Sequence, residues 1–223
     1  MSREELLKIA KPILFNTEMV QAILDDRKTV TRRVVKPKYS NTHFMFRTDK
    51  YGTEFVEMQN QVEGETFGKN PDGSTWHKIV GYIVPKPPYK VGDILYVRET
   101  WQCINPYSDK EYVYKASCDE DYASDIGKWL PSIHMPKSVA RIFLKVTNVR
   151  VERLQDITPE QMLKEGLRTK DPLVGEFITK MQLTYKFMKL WNSTIKKQDI
   201  DKYGWEANPW VWVIEFERVE VEI

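Results

Sequence analysis

The sequence predicts an α+β fold in which many short strands form a small barrel or curled sheet, with few helices at its ends. Three observations support this prediction. Short apolar or alternating strand-like runs recur along the 223 residues, whereas few stretches show helical spacing. The chain contains no repeat and no low-complexity tract. With 41% hydrophobic and 30% charged residues, it suits one folded domain with a substantial core, or one domain with a large insertion.

The N-terminal segment is predicted to run from strand to helix and back to strand. Pro12–Phe15 is a short apolar run typical of a strand. Thr17 is then the expected N-cap of a helix that ends near Asp26. Thr29–Val35 is rich in β-branched residues, which favour a return to strand.

Residues 38–88 differ from the rest of the chain. Turn-forming residues are frequent there, and only a few short apolar runs lie between them. We therefore expect an inserted region with one or two hairpins, closed by the proline-rich stretch Pro85–Tyr89.

Strands and two helices follow the insertion. Val91–Trp101 is predicted to be a strand with which Glu111–Ser117 could pair, and Trp129–Leu154 a proline-bounded loop and a long alternating strand. Thr158, Pro159 and Gln161 form a capping-box pattern for a helix that should end at Gly166. A longer helix is expected over 177–197, and a closing strand over 210–223. The apolar stripe predicted for the longer helix consists of Phe177, Met181, Tyr185, Met188 and Trp191.

Composition excludes several classes of protein. No apolar run approaches the roughly 20 residues that cross a bilayer, so we expect no membrane partner. The N-terminus lacks the layout of a signal peptide, which favours a cytoplasmic location. Cys103 and Cys118 form no CxxC motif and show no ligand spacing with the three histidines, so we expect neither a metal nor another cofactor. A disulfide between them would require their segments to pair as a hairpin.

Charge is concentrated rather than strong overall. The net charge is only +2, but the segment 27–38 holds six basic residues and no acid. Such a segment can meet phosphate, whereas the glutamate-rich C-terminus cannot.

An ordered set of motifs resembles the ASCH superfamily. The set consists of the loop Arg27–Arg33, the glycine-aspartate-led strand Val91–Trp101, the helix region Ile157–Glu165 and the strand Val213–Phe216. The presence of Trp129–Pro136 and Asn208–Trp212 makes the chain similar to the longer form of the family found in phages and prophages. The resemblance leaves out roughly residues 38–88. It implies a single domain over 1–223 with a PUA-like small β-barrel, flanking helices and an inserted hairpin or loop region at 38–88.

The resemblance also implies a candidate site. Members similar to N4-acetylcytidine amidohydrolases use a lysine and a threonine of this loop and a glutamate of the following helix, which correspond here to Lys28, Thr31 and Glu165. A desolvated lysine can activate a threonine hydroxyl, and a carboxyl group of raised pKa can transfer a proton to the leaving amine. Arg33 could stabilise an oxyanion or hold a phosphate.

Structural interpretations of the same residues remain open. Lys28 could simply neutralise a helix C-terminus, Thr31 could be an ordinary strand residue, and Glu165 could face solvent before a glycine cap. The family usually has glycine where this chain has Asp26. A carboxylate there could weaken an anion site or hold Lys28 in place.

Further candidate ligand contacts lie at the cleft that the resemblance implies. They are Arg27, Arg32, Arg33, Arg98, Glu99, Trp101, Ser132, His134 and Trp210. Arg98 and Glu99 occupy opposite-facing strand positions, so only one of them can face the cleft. Tryptophans are more often core residues than stacking platforms, although Trp210 and Trp212 share a strand face and could border a base pocket.

The resulting hypothesis is binding of a nucleoside, a nucleotide or an exposed RNA or DNA base in a basic cleft. Three alternatives remain. They are an amidohydrolase acting on N4-acylated cytidine, a phage-type protein that sequesters a nucleotide signal of host defence, and a protein-interaction module that uses the insertion. The sequence does not determine the oligomeric state.

Overall fold

A computed structural model describes residues 1–39, 42–59, 68–69, 71, 75–76, 82–104, 110–168 and 176–221. The helices are α1 (Arg3–Ile9), α2 (Thr17–Leu24), α3 (Glu120–Asp125), α4 (Pro159–Lys164), α5 (Glu176–Thr194) and α6 (Ile200–Tyr203). The strands are β1 (Lys11–Leu14), β2 (Val30–Val34), β3 (Thr42–Asp49), β4 (Gly52–Gln59), β5 (Gly68–Lys69), β6 (Thr75–Trp76), β7 (Tyr82–Ile83), β8 (Ile94–Arg98), β9 (Trp101–Cys103), β10 (Tyr112–Tyr114), β11 (Phe143–Arg153) and β12 (Trp210–Val219). The mixed α+β class is confirmed.

The main sheet has five strands in the order β1-β8-β11-β12-β2. β1 runs parallel to β8, and every other neighbouring pair is antiparallel. The sheet is open, because no pairing joins β1 to β2 among the described residues. β2 therefore has a free edge, and the residues that follow it turn toward the insertion.

The predicted insertion contains a hairpin. β3 pairs with β4 in antiparallel register, and β7 adds to the other edge of β4. Two short strands, β5 and β6, pair with each other and lie between β4 and β7 in the sequence. Most of residues 60–81, which belong to the same predicted insertion, lie outside the described residues.

Apolar packing covers both faces of the main sheet. α2 contributes Val20 and Ile23 to a cluster with Leu144 and Ile214 of the sheet. The cluster on the opposite side joins α4 and α5 to Val211 and Val213 of β12. Since β12 alternates its side chains between these two clusters, it positions both groups of helices.

Two local predictions need correction. The N-cap of α2 is Asn16, whose side chain accepts from the backbone N–H of Met19 at 2.8 Å; Thr17 is the first helical residue. β10 pairs with β9 rather than with the longer strand before it. Cys103 and Cys118 are free thiols.

The apolar stripe of α5 also differs from the prediction. Met181 and Tyr185 are exposed, and the buried positions are Leu183, Phe187 and Trp191, four residues apart. Phe177 lies outside the described side chains. The helix face that packs against the sheet is therefore the row of side chains that contains Leu183. The row that contains Met181 has a similar helical periodicity but does not pack there. Among the described residues, no helix is long and apolar enough to cross a membrane.

Candidate functional site

The loop between α2 and β2 is held by backbone contacts at both ends. Asp26 adopts the left-handed conformation, with φ of 54°, that a helix C-terminus commonly assigns to glycine. The N–H groups of Arg27 and Lys28 both donate to the carbonyl of Ala22 at 2.9 Å. Thr29 then donates to the carbonyl of Lys164 at the end of α4. Two segments distant in sequence are therefore fixed against each other.

Lys28 is fully enclosed at this junction. Its side chain has no exposed surface, and its Nζ donates to three oxygens: the carbonyls of Val30 at 2.8 Å and Glu165 at 3.0 Å, and Oε2 of Glu165 at 2.7 Å. These contacts use all three N–H groups of an ammonium. Burial lowers the pKa of Lys28, and the neighbouring Glu165 carboxylate opposes that effect.

Glu165 is buried between two cations. Its second oxygen, Oε1, accepts from Nη1 of Arg32 at 3.1 Å, and only 4% of the residue is exposed. The interpretation of Glu165 as a solvent-facing residue is therefore wrong. The suggestion that Asp26 holds Lys28 is also wrong, because Asp26 lies 3.6 Å from Arg218 and the carboxylate on Lys28 is that of Glu165.

Arg32 extends this cluster toward a cavity. Its Nη2 donates to Gln161 at 2.9 Å and lies 3.4 Å from a carboxylate oxygen of Glu152. Its Nε is buried and has no hydrogen-bond partner among the described residues. Arg32 therefore joins the enclosed ion pairs to the wall of the cavity that it lines.

Thr31 and Arg33 form the next layer. Thr31 is buried, and its Oγ1 accepts from Nη1 of Arg33 at 3.0 Å. Arg33 also donates to the carbonyl of Leu14 at 3.1 Å and lies over the ring of Phe15 at 5.5 Å. Desolvation lowers the pKa of Arg33, but a guanidinium remains charged at neutral pH. Arg33 is thus a fixed cation at the surface of the cavity.

The cavity, here called cavity A, has a volume of about 680 Å³. It lies between the end of β1, the first turn of α2, β2, the loop before β11 and the segment after α5. Its basic residues are Arg32, Arg33, Lys36 and Lys196, and its carboxylate is Asp199. Tyr203 supplies aromatic surface, Phe15 and Trp191 line the cavity although they are only 3% and 5% exposed, and Thr100 and Ser132 supply hydroxyls.

Three predicted ligand contacts therefore line cavity A: Arg32, Arg33 and Ser132. Lys28, Thr31 and Glu165 are not among its lining residues, and Glu165 instead lines a smaller pocket together with Ala22 and Gly166. Arg27 faces elsewhere, because its side chain bonds Asp25 and the carbonyl of Gly166.

The remaining candidates have packing roles. Both oxygens of Glu99 accept from Arg141 at 2.9 Å, and Arg98 donates to the carbonyl of Ile133. Trp101 pairs with Leu130 through the backbone and is buried. These contacts hold the loop that carries Ser132, while His134 on the same loop is exposed and lies outside the lining of cavity A.

Trp210 also lies outside the lining of cavity A. It contacts Phe46 and Phe55 of the hairpin edge-on, at ring centroid distances of 5.5 and 5.1 Å, and Arg153 lies over its ring at 4.3 Å. The insertion therefore packs on the β12 face that Trp210 and Trp212 share, and Trp210 serves as its anchor.

Sequence reasoning missed Phe15, Trp191, Lys196 and Tyr203. The last two follow α5, where no motif marks the chain. From their sequence context, Phe15 and Trp191 are predicted to be ordinary core residues. Only the tertiary fold places them at the lining of cavity A.

The described residues contain no group of three or more His, Cys, Asp or Glu side chains that could hold a metal ion. Comparisons with protein-family models, with curated proteins and with solved structures found no match to this chain.

Proposed function

We propose that cavity A binds a nucleoside, a nucleotide or an exposed base of RNA or DNA. The observation that carries this proposal is the charge of the lining, which has four cations against one carboxylate beside aromatic surface. Phosphate groups are bound by such cations, and bases by aromatic faces together with hydroxyl groups that reach their edges.

The first turn of α2 supports the same assignment. Asn16 and Thr17 line the cavity, and Asn16 caps only the N–H of Met19 by its side chain. The first N–H groups of a helix have no partner within the helix, and the helix dipole favours an anion there. A phosphate at this point would also face Arg33 and Lys36.

Membership of the ASCH superfamily and a PUA-like domain with an insertion at 38–88 are part of the proposal. It is supported by the order of strand, short helix, basic loop and later strands, and by the contact of that loop with the end of α4. In this arrangement Lys28 and Glu165 position Arg32 and the loop rather than touch the ligand.

The test is binding of a panel of nucleosides, nucleotides and short RNA and DNA oligomers, measured by thermal shift and calorimetry. We expect nucleotides to raise the melting temperature more than nucleosides, and added salt to weaken the effect. Lys196→Ala should reduce nucleotide affinity, whereas the matched control Lys8→Ala on α1 should not.

If no compound of the panel shifts the melting temperature, nucleotide binding is refuted and a protein-interaction role gains support. If a nucleotide signal of host defence binds tightly and is recovered unchanged, the sequestering alternative gains support.

An amidohydrolase is the second candidate, and the 2.7 Å contact between Lys28 and Glu165 favours it. Thr31 would attack the acyl carbon of an N4-acylated cytidine and expel cytidine, whose N4 takes up the proton that the hydroxyl loses; water would then hydrolyse the acyl-threonine ester and release the acid. Lys28 could accept the Thr31 proton only after releasing one of its own, since its three N–H groups are engaged.

Hydrolysis of N4-acetylcytidine by the wild type and by Thr31→Val tests this candidate. Activity that Thr31→Val abolishes would support it, and the near-isosteric change keeps the strand. No turnover by the wild type at high enzyme concentration would eliminate it.

A further inference from the structure

A second cavity adjoins cavity A. Cavity B has a volume of about 770 Å³ and lies between β2 with its continuation and the insertion. Arg33, Val34 and Lys36 line both cavities. Cavity B is otherwise lined by Val35, Lys38, Glu57 and Trp212, and by six residues of the stretch from Ile83 to Tyr89.

We propose that the two cavities form one groove for a single-stranded polynucleotide, with one nucleotide in each cavity and the bridging phosphate at Arg33 and Lys36. The proposal rests on the proposed function of cavity A and specifies its ligand class. It also assigns a role to the insertion, which supplies one wall of cavity B.

Size and shape support this assignment. Sites for small molecules typically measure roughly 300–1,000 Å³, and each cavity falls within that range by itself. A mononucleotide would occupy cavity A and leave cavity B open. Because the cavities meet at shared residues, a chain of at least two linked nucleotides can occupy both.

The basic residues of cavity B also support the proposed groove. Lys36, Lys38 and Lys86 line it, and neither Lys36 nor Lys86 forms an ion pair with a described residue. Glu57 is the carboxylate of this cavity, and it accepts the N–H groups of Lys38 and Tyr39 and the hydroxyl of Thr42. Its charge therefore organises the turn after β2 and interacts with Lys38, whereas Lys36 and Lys86 have no carboxylate partner among the described residues.

Aromatic surface recurs in cavity B. Trp212 is half-buried there, and Phe55 of the hairpin fixes it through an edge contact at 6.2 Å. Tyr89 is anchored by its hydroxyl, which donates to the carbonyl of Pro12 at 2.6 Å. Rings held in this way are stacking platforms for a base. Each cavity therefore has an aromatic ring, and Arg33 and Lys36 lie between the two cavities. This order matches the base–phosphate–base repeat of a single strand.

The test measures binding of fluorescent degenerate hexanucleotides, one of RNA and one of DNA, in competition with an equimolar mixture of the four 5′-monophosphates. Lys86→Ala probes cavity B, Lys196→Ala probes cavity A, and Lys8→Ala is the control. We expect a hexanucleotide to bind at least about fivefold tighter than the monophosphates, since a second stacked base adds affinity.

Lys86→Ala should weaken hexanucleotide binding and leave monophosphate binding unchanged, whereas Lys196→Ala should weaken both. The slope of log affinity against log salt should be steeper for the hexanucleotide by about 0.7 for each additional phosphate contacted. Tighter binding of the RNA arm would indicate contact with the 2′-hydroxyl, and equal binding would assign the groove to either strand type.

Three outcomes would overturn the groove. If monophosphates bind and hexanucleotides gain nothing, cavity B is not a subsite although the proposed function stands. If Lys86→Ala affects both ligands alike or neither, the same conclusion follows. If neither ligand class binds, the proposed function fails together with the groove.

Discussion

Two buried carboxylates hold the two halves of the groove, and they do so with different partners. Glu165 is paired with the ammonium of Lys28 and with the guanidinium of Arg32, which lines cavity A. Glu57, beside cavity B, accepts from two backbone N–H groups and a hydroxyl. Removing Glu165 leaves two enclosed charges, whereas removing Glu57 leaves neutral donors near solvent. The loss of stability on removing a buried carboxylate therefore depends on whether its remaining partners are enclosed charges or neutral hydrogen-bond donors.

The largest effect is expected for Glu165→Ala. Two buried cations would lose their carboxylate, which should lower the free energy of unfolding by about 3–5 kcal/mol. Urea denaturation measures this loss. Glu217→Ala is the control, because Glu217 pairs with Lys145 at 3.4 Å on the surface and should cost less than about 1 kcal/mol. Similar losses for both variants would contradict the comparison.

The second-largest loss of stability is expected for Gly166→Ala, because the added methyl group would crowd the backbone and side chains that surround Lys28. Gly166 has φ of 98°, and an added Cβ would lie 2.7 Å from Cβ of Ala22 and 3.3 Å from Cβ of Lys28. Strain and overlap together should cost about 2–4 kcal/mol. Gly92→Ala has a similar φ of 88° but open space around it, so strain alone should cost about 1–2 kcal/mol. Equal thermal shifts would show that the close approach carries no weight.

A pH-dependent effect is expected for Glu57→Gln. Burial raises the pKa of Glu57, but hydrogen bonds from Lys38, Tyr39 and Thr42 outweigh it and leave the pKa below its ordinary 4.5. A carboxyl with a lowered folded pKa stabilises the protein above 4.5, and this contribution disappears as the pH falls through the folded value. The variant should lose about 1–2 kcal/mol at pH 7, where these bonds are charge-assisted.

The difference between wild type and Glu57→Gln should therefore shrink as denaturation is repeated at pH 4.5 and then at pH 3. A difference that stays constant over this range would show that the carboxylate charge does not contribute.

The smallest effect is expected for Lys36→Ala. Lys36 forms no ion pair with a described residue and lines both cavities, so its loss should change the free energy of unfolding by less than about 0.5 kcal/mol. The same denaturation experiment measures it. A loss above 1 kcal/mol would mean that Lys36 is a structural cation like Lys28 and would weaken the case for a ligand-binding groove.

Several features of the fold could be predicted because a few neighbouring residues determine them. The capping box of Thr158 and Gln161 is present as expected, and Gly166 follows α4 with positive φ. Asp26 takes the left-handed position that the comparison with glycine indicated. The stripe of α5 could not be predicted, since two rows of apolar residues fit the helical period and only the sheet distinguishes them.

The sequence by itself determined the positions of α2, α4, α5 and the strands β1, β2, β8, β11 and β12, the capping box of α4, and that the basic residues gather at one helix-to-strand loop, whereas it did not indicate α1, α3 or α6. These features depend on local conformational preferences. Only the tertiary structure decided which basic side chains are buried in ion pairs and which line the cavities. Lys28 meets Glu165 across 137 positions and is enclosed, whereas Arg33 and Lys36 remain at the groove. Burial and pairing follow from contacts between distant segments, which local patterns do not encode.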